Sequence, residues 1–135
     1  MRYLLIVLTI ALLTSCKQNC KLKQNENQED LIGKNVIITY PDFTAEIAYL
    51  SDSTLHWKTT TKNGEVKEGN EKVYFKKISN QQYFINWIEN DGLTISQVVN
   101  LENNKVIVFG TFADEASNRG KRASFNLEGT LKIVK

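Results

Sequence analysis

In Trp87-Ile88-Glu89 a carboxylate follows an indole at the spacing that puts both on one face of a β-strand, since strand side chains alternate faces. Burial beside aromatic rings raises a glutamate's affinity for its proton, which is what a general acid or base requires. Tyr83 and Ile85 share that face, and Asp91-Gly92 follows as a hairpin turn signal. Ser96, on the next run, has no histidine partner there, His56 being the only histidine, so a nucleophile triad is not expected. Cys16 and Cys20 both lie near the N-terminus, and no acidic calcium-loop pattern is present. The chain is therefore expected to hold no metal and no cofactor.

The elements that position this pair are strands. After residue 31 no window sustains a helical period, and apolar runs alternate with turn residues instead. The expected strands cover 34–40, 43–50, 54–61, 65–77, 82–89, 93–101, 105–113 and 121–134, with turns at Pro41-Asp42, Asp52-Ser53, Asn63-Gly64, Asn80-Gln81, Asp91-Gly92 and Asn103-Asn104. Eight strands with short connections predict an all-β, antiparallel up-and-down barrel, in which closure removes exposed edges and leaves room for one small ligand.

Two-residue hairpins would define the register. Glu89 then pairs with Thr94 and Lys72, Trp87 with Ser96 and Tyr74, Trp57 with Asn70, Leu55 with Lys72, Ser96 with Thr111 and Val98 with Phe109. One face gathers Leu55, Trp57, Asn70, Lys72, Tyr74, Trp87, Glu89, Ser96, Phe109 and Thr111. Aromatic walls with a few hydrogen-bonding groups suit a small-molecule pocket. They equally suit a filled barrel with Lys72–Glu89 as an ion pair at its rim. The opposite face carries Phe84, Ile88, Ile95, Val99 and Val106, enough apolar surface for a partner or a second copy, hence a homodimer as one expectation.

Three segments are expected: residues 1–15, 16–30 and 31–135. In the first, Arg2 precedes an apolar run from Tyr3 to Leu13, too short to span a bilayer but suited to a signal-peptide core. It ends in Leu13-Thr14-Ser15-Cys16, which resembles a bacterial lipobox and implies cleavage before Cys16 with diacylglyceryl attachment to its thiol. Lys17, rather than Asp, follows it, so outer-membrane residence facing the periplasm is expected. Residues 17–30 hold one leucine and no aromatic, the composition of a polar tether. The net charge of +2 in 135 residues is spread among strands, which argues against a nucleic-acid partner.

Leu31-Ile32-Gly33-Lys34, Tyr40, Leu55-His56-Trp57, Glu68-Gly69-Asn70-Glu71, Tyr74, residues 84–89 and Ser96-Gln97-Val98 together resemble the MoaF-like domain family. That resemblance covers nearly all of residues 31–135 and implies a calycin-like, lipocalin-type barrel. More distantly the chain is similar to phenolic acid decarboxylases, in which the glutamate of a Trp-x-Glu strand works with first-strand tyrosines and an arginine after a glycine. The glutamate matches Glu89 and one tyrosine Tyr40; the other tyrosine falls near Ile38, and the arginine near Asn70.

These readings converge on a lipid-anchored envelope barrel that binds a small, partly apolar molecule through Trp57, Asn70, Lys72, Tyr74, Trp87, Glu89, Ser96 and Thr111. The alternatives are a lyase or isomerase with Glu89 as general acid or base, and an interaction lipoprotein using its outer apolar face.

Overall fold

Val36, Ile38 and Tyr40 alternate with Asn35, Ile37 and Thr39, and the first set is buried, so the first strand already separates an inner from an outer face. The computed structural model describes residues 30–134; Cys16, the leader and all but the end of the tether lie outside the described residues. Nine strands follow one another: β1 (Asn35–Thr39), β2 (Phe43–Tyr49), β3 (Thr54–Thr61), β4 (Val66–Lys72), β5 (Tyr74–Ser79), β6 (Gln82–Ile88), β7 (Thr94–Asn100), β8 (Lys105–Ala113) and β9 (Arg122–Val134). They form one antiparallel sheet in the order β4-β3-β2-β1-β9-β8-β7-β6-β5. Successive strands pair as a meander except β4 and β5, and the first strand pairs with the last, so the sheet curls on itself as a half-barrel.

The strand expected over 65–77 breaks at Val73, whose amide donates to the Ser53 carbonyl at 2.9 Å. Its first half pairs with β3 and its second with β6, which makes nine strands of the expected eight. The edges of the sheet are thus the two halves of one continuous segment. Lys67, Glu68, Glu71 and Lys72 on β4, with Lys76 and Lys77 on β5, are the kind of charges that keep open edges from pairing with other chains.

Loop length corrects the expected register. Between β3 and β4 the chain turns on three residues, Lys62, Asn63 and Gly64: the Thr61 amide donates to the Glu65 carbonyl at 2.9 Å, and Gly64 has φ 82°. Between β6 and β7 it turns on Asn90, Asp91 and Gly92 in the same way, with Gly92 at φ 84°. A left-handed glycine closes each loop at no steric cost. One extra residue moves the pairing by one and reverses the face, so Trp57 pairs with Gly69, and Trp87 with Ile95. The turn at Asn80-Gln81 does have two residues, with Ser79 opposite Gln82, but an irregularity between Lys77 and Ser79 shifts the remainder and leaves Tyr74 opposite Asn86.

At the end formed by the start of β1 and the ends of β2 and β7, Leu31, Val36, Tyr49, Leu55, Tyr83, Val99 and Val106 are fully buried. The Gly33 amide donates to the Tyr49 carbonyl at 2.7 Å, which ties the turn carrying Leu31 over that end. Farther along, three inner-face glycines lie under rings from neighbouring strands: Gly69 under Trp57, Gly110 under Phe125 and Gly129 under Tyr40. A methyl group at Gly129 would lie 2.6 Å from Ile38 and 2.8 Å from Tyr40. Gly129→Ala is therefore expected to lower stability by about 1–3 kcal/mol through overpacking. Urea denaturation measures this, and a midpoint equal to that of the parent chain would contradict the packing described.

Candidate functional site: an aromatic cavity with two indole–carboxylate pairs

The end opposite the Leu31 plug is where β1 and β2, β3 and β4, β6 and β7, and β8 and β9 are joined by loops, and here the interior stays open. A cavity of about 230 Å³ lies there. Ile47, Ile95, Val108 and Leu127 form its aliphatic wall, and Tyr40, Phe43, Trp57, Trp87 and Phe125 its aromatic one. Tyr40 and Phe43 stack with centroids 4.6 Å apart, held beside each other by the tight Pro41-Asp42 turn.

Both tryptophans are engaged in the same way. The Trp87 Nε1–H donates to Oε1 of Glu89 at 3.3 Å, and the Trp57 Nε1–H donates to Oε1 of Glu71 at 3.2 Å. Strand alternation places Glu89 two residues beyond Trp87 on the inner face, while pairing of Trp57 with Gly69 brings Glu71 beside it from the next strand. Glu89 holds its proton more tightly than an ordinary glutamate, chiefly because it is partly desolvated. The Trp87 hydrogen bond opposes this, Asp91 and Glu71 reinforce it as like charges, and Lys67 offsets it slightly.

At the deep end Gln97 is the buried polar side chain, 1% exposed. Its Oε1 accepts from the Tyr49 hydroxyl at 2.8 Å, which leaves its amide nitrogen as the donor of that side chain. Burial pushes the Tyr40 hydroxyl up to about 12, and its interaction with Gln97 lowers it in part. At neutral pH Tyr40 is thus a neutral donor.

Of the residues expected to form the site, Trp57, Trp87 and Glu89 do line the cavity. Asn70, Lys72, Tyr74, Ser96 and Thr111 lie on the outer face, because odd loops and the β5 irregularity reverse their strands. Asn70 Oδ1 sits 3.0 Å from Nδ1 of His56, and Tyr74, 60% exposed, packs edge-on against Phe84. Ser96 accepts from Asn86 at 3.0 Å, and Thr111 accepts from the Arg122 guanidinium at 2.8 Å. Lys72 pairs across from Thr54 on that face, so the expected Lys72–Glu89 rim pair is not formed. Phe109 is likewise outside, whereas Ile95, Val99 and Val106, expected outside, are in the core; Phe84 and Ile88 do face outward.

Tyr40, Lys67, Asp91 and Gln97 also line the pocket, and Glu71 accepts from its Trp57 wall; the expected two-residue register places none of them there. Gln97 had a signal: it interrupts Ile95-Ser96-Gln97-Val98-Val99 at an alternate position between two apolar residues.

The chain matches the MoaF-like family over residues 32–132 and belongs to that family. No curated protein matches it significantly. Among solved structures it is similar to a protein from Burkholderia vietnamiensis whose crystal structure carries a provisional beta-lactamase description, at 19% identity and a TM-score of 0.64, over 79% of this chain and 98% of that one. At that identity the likeness speaks for the fold alone. Among the described residues, the cavity lining holds no serine, cysteine or histidine.

Glu89 also makes stability depend on pH. With its native value raised above 4.5, the folded chain holds this proton in a range where the unfolded chain has released it. Its contribution is complete below 4.5 and is lost as pH rises through the raised native value. The parent chain should therefore lose stability relative to Glu89→Gln as pH rises from below 4.5 through the raised native value, as read from urea midpoints, and parallel curves would contradict it.

Proposed function

We propose that this protein is a lipid-anchored barrel of the bacterial cell envelope that binds one small, partly apolar molecule in its interior. The observation that carries the reading is the open cavity of about 230 Å³, with aromatic and aliphatic walls and a few converging polar groups. Pockets for drug-sized ligands run to roughly 300–1,000 Å³, so the occupant is of one- or two-ring size. The Trp57 and Trp87 indoles make binding observable by their fluorescence. A saturable fluorescence change with a one-ring ligand is expected for the native barrel. Ala45→Phe, which fills the cavity from its wall, should abolish it while the chain stays folded. Unaltered binding in that variant would remove the interior from consideration.

Anchoring rests on the leader ending in Leu13-Thr14-Ser15-Cys16, and the absence of Asp after the cysteine favours the outer membrane, facing the periplasm. Cys16→Ser is expected to block incorporation of radiolabelled palmitate and leave the protein out of the membrane fraction; unchanged labelling would refute the lipobox reading.

A second reading, small-molecule lyase or isomerase, is favoured by Glu89 with its raised proton affinity facing the same cavity as the neutral Tyr40 donor. The position aligned with the arginine of phenolic acid decarboxylases, Asn70, lies outside this cavity, so that particular reaction lacks its cation. The enzyme reading expects Glu89→Gln to lose turnover of a conjugated carbonyl substrate while binding and thermal midpoint persist.

A further inference from the structure

Charge around the cavity is unevenly divided. Glu89 and Asp91 line it, and Glu71 stands close enough to act on Glu89. The cation among the lining residues, Lys67, turns its ammonium toward Glu65 at 3.7 Å and has a side chain 72% exposed. Glu71 and Glu89 are each held by an indole N–H in the plane of a tryptophan ring. Donation to a carboxylate pushes electron density onto the indole and makes its face a better partner for a cation. The deep end has the opposite preference. Gln97 spends its oxygen on Tyr49 and interacts with Tyr40, which keeps its proton, so what this end offers an occupant is neutral hydrogen-bond donation.

We propose that the cavity selects a small organic cation, with its ammonium against the Trp57 and Trp87 rings under the carboxylates of Glu71, Glu89 and Asp91, and a neutral hydrogen-bond acceptor at its other end against Gln97 and Tyr40. The inference rests on the cavity being a ligand site and names the class of ligand. An anionic occupant would meet the Glu89 and Asp91 carboxylates with Glu71 close by, whereas a cation relieves the repulsion that Asp91 and Glu71 exert on Glu89. The groups bearing on pH are therefore Glu71, Glu89, Asp91, Lys67 and Tyr40, and binding of a permanently charged ammonium strengthens as pH rises through the range in which Glu89 ionises.

The test is a set of one-ring probes of nearly equal size, followed by tryptophan fluorescence and calorimetry on the native protein: 4-methoxybenzylamine, 4-methoxybenzyl alcohol, 4-methoxybenzoate and, lacking the acceptor, 4-ethylbenzylamine. The first should bind about tenfold or more tightly than the alcohol or the ethyl analogue, with the benzoate weakest of all. Glu71→Gln combined with Glu89→Gln should erase the preference for amine over alcohol without weakening the alcohol, and Lys67→Met should enlarge it. Should the double variant not fold, Lys67→Met alone decides the sign. An alcohol or benzoate that binds as tightly as the amine overturns the charge assignment and leaves the cavity as a ligand site. Failure of all four probes to saturate overturns both.

Discussion

Every strand side chain alternates between two faces, so the number of residues in a hairpin loop decides which side chains meet inside a curled sheet. Here that constraint acts through Gly64 and Gly92, whose left-handed backbones let the β3–β4 and β6–β7 connections close on three residues. With two-residue loops Asn70 and Ser96 would stand beside the tryptophans; with three, Gly69 and Ile95 do. Trp57 consequently lies over a backbone without a side chain and reaches Glu71, while Trp87 reaches Glu89 along its own strand. The pocket follows from two loops distant from its floor.

The two ends of the barrel differ because they are filled differently. Leucine, valine and tyrosine side chains occupy one end completely, under a turn tied to Tyr49. Toward the other, glycines take positions where side chains would meet, and aromatic rings cover them. Rings seated over glycine bring neighbouring strands close and help the sheet to curl, a device that also stiffens sheets built for curvature. The room left between those rings is the cavity. A sheet that remained flat would expose Val36, Ile38 and Tyr83 together with the tryptophans.

The electrostatics follow from the same placement. Carboxylates set at the open end retain contact with water, and the partial burial of Glu89 there raises its proton affinity. Tyr40 and Tyr49 sit deeper, and burial holds both in their protonated form. The interior therefore runs from neutral donors to negative charge, a gradient along which a molecule with unlike ends has one favourable orientation.

What the sequence alone determined is local or compositional. Alternating apolar residues, turn dipeptides and the lack of a helical period specified an all-β meander, and residues from Leu31 onward carried the family resemblance that the match over 32–132 bears out. The Trp87-x-Glu89 pair was legible because both members lie on one strand and need no register. Tertiary structure alone decided the company they keep. Two-residue turns would place Asn70, Lys72, Tyr74, Ser96 and Thr111 in the interior, but one extra residue in a loop or one irregularity in β5 sends a whole strand face outward. Asn63-Gly64 and Asp91-Gly92 are compatible with loops of either length, so the side chains that share the cavity depend on pairing energies across the finished sheet, which no single segment contains.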